Sequence, residues 1–284
     1  MSYTSHRAQS PAGTAFASPC ACGGNDYAPL WHGSYTRGGS TQAHPYHFHL
    51  QRCRRCSLVR TDPVPDQSMY DALDFDDDGA PHVRPWLYDA AGEMLTIIRA
   101  NGYRAGAVLD VGCNTGELVH AISSIGVDAA GCDIDAAAVA HGRAQGRRLL
   151  HVNLEADRVP GIYAAALCIH TLEHTLKPVD LLRNLAESLE PGAPLFIAVP
   201  NFGGLAARIM RDRWGYLVPR QHVWQFTPRT LRDTVERTGA FVLASSAQRT
   251  TLEPSASLSI KRLILEFAGK LNQGDEIRAV FRRV

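Results

Sequence analysis

The chain has 284 residues, 45% of them hydrophobic, and a formal net charge of +1. That length holds one large domain plus a small one, and the near-neutral charge gives no broad electrostatic case for a nucleic-acid partner. No apolar run reaches the roughly 18 residues of a membrane span, and the polar stretch Met1 to Ser18 lacks an apolar signal core, so a cytoplasmic protein with a disordered tail at 1–18 is expected.

Residues 19–62 read as a zinc ribbon. Cys20-Ala-Cys22 makes one knuckle and Cys53-Arg-Arg-Cys56 the other, and between them runs a strand-like segment, Pro45 to Gln51. A segment this small buries too little apolar surface to fold alone, so a structural metal is physically reasonable. Four thiolates would give a closed tetrahedral zinc site with no open position for chemistry. His32, His44, His47 and His49 are alternative ligands, read more simply as surface or strand histidines. Cys113, Cys132 and Cys168 sit near predicted strand ends and read as buried free thiols.

Residues 63–81 form a linker with Pro63, Pro65 and the acidic run Asp74 to Asp78, a solvated face. The third unit is 82–284. The apolar spacing of Val83, Trp86, Leu87, Ala90, Met94, Ile97 and Ile98 predicts a helix over 82–101, ended by Gly102. Strands and helices then alternate. Strands are expected at 107–112, 128–134, 149–154, 163–170, 194–199 and 240–247, with a last one at 276–281. Helices are expected at 115–125, 135–145, 177–190 and 227–238. Repeated β–α units imply a mostly parallel sheet with helices on both faces.

The run Ala107-Val-Leu-Asp-Val-Gly-Cys-Asn-Thr-Gly-Glu-Leu-Val-His120 is the most informative. A strand ends in an acid and a glycine, a second glycine follows, and a helix opens. Such a loop lets backbone approach a ligand closely, and the helix N-terminus presents amide groups to it. Asp133 closes the next strand 21 residues after Gly112, near the spacing for an acid that grips ribose hydroxyls. The loop is not G-x-G-x-x-G, and no G-x-x-x-x-G-K-[ST] run is present, so neither a pyrophosphate nor a triphosphate cradle is evident.

This pattern resembles motif I of the class I S-adenosylmethionine (SAM) methyltransferases, with Asn114 where that family often has its middle glycine. Ala165 to His174, Leu189 to Gly192, Phe196 to Asn201 and Gln221 to Pro228 resemble the family's later motifs in order, most closely those of the ubiquinone-biosynthesis O-methyltransferase-like branch. The cysteine segment is similar to the zinc ribbon of sugar and antibiotic-pathway methyltransferases. The resemblance implies a Rossmann-like α/β fold: a seven-stranded sheet with an antiparallel last strand, plus a small N-terminal zinc ribbon. It implies that Gly112, Asn114 and Gly116 pack on the methionine half of SAM and that Asp110 orients that loop or contacts the amino group. Asp133 would take the ribose and Ile134 the adenine, with Asn153 and Leu154 in the same pocket. Ile169 or His170 would lie beside the sulfonium.

An acceptor hydroxyl needs a base or a metal, a positioned base being worth about 10²–10⁴ in rate. His170, Glu173 and His174 share a turn, and by resemblance His222 arrives from a segment that folds over the acceptor. They support either a His174/His222 base, the preferred reading, or a divalent metal bound by the histidines and Glu173. The family's metal-binding members carry an acid where this chain has His170. A third reading is that Glu173 and His174 only cap or pack the turn.

Trp214, Tyr216 and Trp224 flank an expected lid at 201–225, made basic by Arg208, Arg211, Arg213 and Arg220, either an acceptor-recognising or a solvated face. Residues 258–271 read as an amphipathic helix, docked on its own core or touching a membrane surface or partner. The expected activity is O-methylation of a hydroxyl on a sugar, glycan or secondary metabolite. The alternatives are C- or N-methylation of a nucleotide-sugar or small molecule, RNA methylation, and a SAM-binding scaffold without activity. The sequence leaves the oligomeric state open.

Overall fold

A computed structural model describes residues 19–35, 46–65, 85–250, 268, 271 and 273–284. The tail at 1–18, His44, most of the linker with its acidic run, and the amphipathic segment 258–271 apart from Ala268 and Leu271 lie outside the described residues.

The N-terminal segment forms β1 (Tyr27–Tyr35), β2 (Tyr46–Cys53) and β3 (Val59–Asp62). Helix α1 (Pro85–Ala100) follows. Alternating units then run β4 (Val108–Val111), α2 (Glu117–Ser124), β5 (Ala129–Asp133), α3 (Ala136–Ala144) and β6 (Leu149–His151). The second half runs β7 (Ala165–Ile169), α4 (Pro178–Glu187), β8 (Pro194–Pro200), α5 (Leu205–Met210), β9 (Trp224–Gln225), α6 (Pro228–Glu236), β10 (Phe241–Arg249) and β11 (Glu276–Arg283).

Seven of these strands make one sheet in the order β10-β11-β8-β7-β4-β5-β6. The five strands from β8 to β6 are parallel, while β11 runs antiparallel to both β8 and β10. All seven residues of β8 are buried, as expected of a strand covered on both faces. One apolar cluster joins Leu182, Leu185 and Leu231 to one face of the sheet, and another joins Leu95, Ile98 and Ile122 to the other. The strand order reverses between β4 and β7, which opens a crevice at their carboxyl ends.

Several element ends differ from the sequence expectation for local reasons. Gly116 sits in the left-handed region at φ 80°, so α2 begins at Glu117 instead of Thr115. Asn153 Oδ1 accepts from the Glu155 amide at 3.0 Å, and this turn stops β6 at His151. Helix α4 ends at Glu187 because buried Ser188 donates its hydroxyl to the Val159 carbonyl and its own carbonyl accepts from Tyr163. Strand β1 and helix α5 were not expected.

Nor was β9, a two-residue strand at the end of the expected lid. It pairs antiparallel with β3, with Val59 opposite Gln225 and Arg60 opposite Trp224. The second sheet is therefore β1-β2-β3-β9, three strands from the cysteine segment completed by one from the far side of the chain. Among the described residues no helix is long and apolar enough to cross a membrane.

Candidate active site

The loop after β4 meets the crevice as its sequence suggests. Gly112 has φ 74° and lies against the Thr171 side chain, which a Cβ there would strike. Thr171 Oγ1 donates to the Val111 and Ile169 carbonyls at 2.9 and 3.1 Å, tying the end of β7 to the end of β4. Asn114 takes φ 49°, which Asn tolerates better than most residues. Its amide donates to Asp133 Oδ2 at 2.7 Å, and the Asp135 amide donates to Oδ1 at 2.9 Å. Asp133 thus braces the glycine loop and opens α3, for which Asp135 is the N-cap.

These residues wall a cavity of about 590 Å³ that Gly112, Asn114, Asp133, Ile134, Asn153 and Leu154 line, with His170 and His174 toward its other end. Apolar Ile134 is half exposed at the cavity wall. Asp110, Gly116 and Ile169 do not line the cavity. Asp110 is buried, and burial together with the Asp133 charge pushes its carboxyl up to about 7. Gly116 instead permits close approach of Leu149.

Four expected catalytic residues gather on the turn after β7 and on the lid. Leu172–His174 form a single 3₁₀ turn. His170, at φ 48°, bonds Glu173 through Nδ1 and Glu276 through Nε2, both at 3.2 Å, and stacks on Tyr216 at 5.8 Å. Burial works against the charged ring, but the two carboxylates outweigh it and raise its pKa to about 10. With both nitrogens occupied by acids, His170 is a fixed cation and neither a base nor a metal ligand in this arrangement. Glu276 stands 106 residues away on β11, and nothing in its sequence neighbourhood marks it except that a buried strand opens on an acid.

His174 lines the cavity, whereas Glu173 and His222 lie behind it. His174 Nδ1 lies 3.1 Å from the Gln221 carbonyl, which requires the proton on Nδ1 and leaves Nε2 as the lone-pair nitrogen. Its ring meets the edge of His222 at 4.6 Å. Burial lowers the pKa of both imidazoles, His222 to about 3, so His222 is neutral. Burial alone would raise Glu173, but the His170 hydrogen bond and the nearby imidazoles hold it below the usual carboxylate range.

One donor atom from each of Glu173, His174 and His222 lies within 4.8 Å of the others. Glu173 Oε2 and His222 Nδ1 are buried with no hydrogen-bond partner among the described residues. Such orphaned atoms are costly, and a carboxylate with two neutral imidazoles is a donor set that suits a divalent transition metal.

Cys20, Cys22, Cys53 and Cys56 also converge. Cys20 and Cys56 sulfurs lie 3.5 Å apart, Cys22 and Cys53 sulfurs 3.6 Å apart. Their hydrogen bond pulls the Cys56 thiol down to about 5, while the same contact and burial push Cys20 up. Four crowded sulfurs that repel one another as thiolates fit a tetrahedral zinc ion. His32 and His49 face each other across β1 and β2 at 5.9 Å and belong to no such cluster among the described residues.

Residues 88–245 match a family model described as "Methyltransferase domain". The chain belongs to this family. It is similar to a ubiquinone biosynthesis O-methyltransferase of Aliivibrio fischeri, 31% identical over 110 residues that make up 36% of this chain and 47% of that protein. A Bordetella avium protein of the same description is 27% identical over 178 residues, 60% of this chain and 68% of the relative. The match to the first of these spans about half the relative's length. Two solved structures share the fold. One is a plantazolicin methyltransferase in complex with SAH, at TM-score 0.51 and 15% identity over 70% of this chain and 86% of that one. The other is a magnesium protoporphyrin IX methyltransferase from Synechocystis PCC 6803 with bound SAH, at TM-score 0.51 and 14% identity over 77% and 95%. The seven-stranded sheet of this methyltransferase domain has the antiparallel final strand that the resemblance implies.

Proposed function

We propose that the chain transfers the methyl group of SAM to a hydroxyl oxygen of a small molecule, sugar or glycan, and that His174 receives the hydroxyl proton. The observation that carries this is the placement of His174 at the cavity wall, with its Nδ1 oriented by the Gln221 carbonyl at 3.1 Å. The acceptor oxygen forms a bond to the methyl carbon as the carbon–sulfur bond breaks. The sulfonium leaves as a neutral thioether, and the proton passes to the imidazole. The enzyme's work is to hold oxygen and methyl in line at about 3 Å and to exclude water. His222 and Glu173 orient His174 from behind. The four cysteines hold a structural zinc, and the protein works in the cytoplasm on a small-molecule or glycan acceptor.

The two orphaned buried atoms favour a second reading of the same reaction. In it Glu173, His174 and His222 hold a divalent metal. A bound metal would lower the pKa of an acceptor hydroxyl. His170 is then excluded from the ligand set, which narrows the four-residue metal site of the sequence reading to three.

The test is methyl transfer from labelled SAM to pools of hydroxylated sugars, lipid-linked glycans and phenolics, with total RNA alongside. Transfer to a hydroxyl-bearing small molecule is expected, falling by about 10²–10⁴ in His174→Ala. Dialysis against EDTA, with retention of the cysteine-bound zinc checked by mass spectrometry, separates the readings, since with that zinc in place only the metal reading predicts loss restored by a divalent ion. Transfer to RNA alone, or to a carbon or amine with no loss in His174→Ala, would remove the proposal.

A further inference from the structure

We propose that the cysteine ribbon is a positioning element of the acceptor site, with Thr61 as its contact residue, so that loading the four cysteines with metal orders the segment carrying His222. The inference rests on the reading of His222 as part of that site. The ribbon and the lid are joined by hydrogen bonds that begin at the backbone of the imidazole's own residue. Thr61 is fully buried. Its Oγ1 donates to the His222 carbonyl at 2.7 Å, and its amide donates to the Val223 carbonyl at 2.9 Å. On the opposite side, the Val223 amide donates to the Glu173 carbonyl at 2.8 Å. The backbone of His222 and Val223 is therefore held between strand β3 of the ribbon and the turn that carries Glu173 and His174.

The metal site controls where β3 starts. Cys53 ends β2 and Cys56 lies in the turn to β3, closed by the Cys53 amide donating to the Leu58 carbonyl and the Ser57 amide to the Cys53 carbonyl. Val59 follows at once and pairs with Gln225. Trp224 belongs to the same apolar cluster as Cys20, Cys22, Cys53 and Leu58, and its indole N–H reaches the Thr175 carbonyl at 2.8 Å. Strand β9 has two residues and is held in this sheet by its pairing with β3. Strand β3 leaves the cysteine turn directly and reaches, through its bonds to the 222–225 backbone, the turn that carries Glu173 and His174. Without metal, the sulfurs at 3.5 and 3.6 Å have no cation between them and the cysteine turn loosens.

Native-state hydrogen exchange tests this in the full chain, without turnover. Metal content is set by mass spectrometry before and after treatment with a thiol-reactive mercurial and chelator. Removal of the ribbon metal is expected to speed exchange at the Val223 and Gln225 amides about tenfold to a hundredfold, while β4, β7 and β8 keep their protection and SAH affinity is unchanged. Thr61→Val is the second variant. It keeps shape but removes the donor to the His222 carbonyl, and it is expected to lower kcat at least tenfold with little change in KM for SAM. Thr61→Ser restores both exchange protection and kcat. Unchanged protection at 222–225 in metal-free protein, or a Thr61→Ser variant as impaired as Thr61→Val, would overturn the proposal. Protection lost as expected while His222→Ala retains full activity would leave the coupling standing and remove the role of His222 instead.

Discussion

His170 shows how far one side chain's meaning depends on partners that its neighbours in sequence do not reveal. From the chain alone it reads as one of three histidines able to act as base or ligand. In the fold it is an imidazolium between Glu173 and Glu276. The sign of its effect on stability follows. Its folded pKa of about 10 lies above the ordinary value of 6.5, so its contribution is fully present below about pH 6.5 and lost as pH rises through about 10. The difference in Tm between wild type and His170→Gln is therefore expected to be largest near neutrality and to shrink as pH is raised from about 7 to about 10.5. A difference that grows over that range would mean that the ring is neutral in the folded protein. Glu276 could not have been paired with it from sequence, because the partner lies on the last strand, across a segment of over a hundred residues. Asp133 was legible for the opposite reason, since its distance from Gly112 is set by one β–α–β unit.

At the scale of elements, what the sequence shows well are the units whose partners are local or periodic. The β–α alternation from β4 to β8 is written in apolar runs and glycine stops, and these elements fall within a few residues of expectation. Strand β9 was not legible, because two residues carry no period and its existence depends on β3, some 160 residues earlier. Helix α5 is equally short, and it packs Ala206 and Ala207 with Phe48, Leu50 and Trp214 in a cluster shared by the ribbon and the lid. The lid aromatics thus divide by role: Trp214 and Trp224 are buried anchors, while Tyr216 lies over His170. Trp224→Phe keeps the ring but orphans the buried Thr175 carbonyl. It is expected to destabilise the protein by about 1–3 kcal/mol, read from chemical denaturation. A loss well under half a kcal/mol would mean that β9 is held by β3 alone.

At the scale of the whole molecule, two sheets divide the work. The seven-stranded sheet places the glycine loop, Asp133 and the β7 turn around one crevice. The four-stranded sheet, begun by the cysteine segment and finished by the lid, closes on the far side of the same turn. The sequence reading treated residues 19–62 and 82–284 as separate units, because the cysteine motif and the methyltransferase motifs are each self-contained. Shared backbone hydrogen bonds leave no trace in residue type, so the union of the two was invisible there. Among the lid's basic residues, Arg220 lies over the Tyr46 ring of the ribbon at 5.0 Å, a further contact between the two.

We propose that the crevice at the ends of β4, β5 and β7 holds SAM and that Asp133 braces it. The most direct measurement is calorimetric titration of SAH into wild type and Asp133→Ala. One site per chain is predicted for wild type, with affinity at least tenfold lower in the variant, because the two backbone amides that hold the glycine loop and the start of α3 lose a charged acceptor. Absence of SAH binding by the wild-type chain, or equal binding by both proteins, would contradict the account.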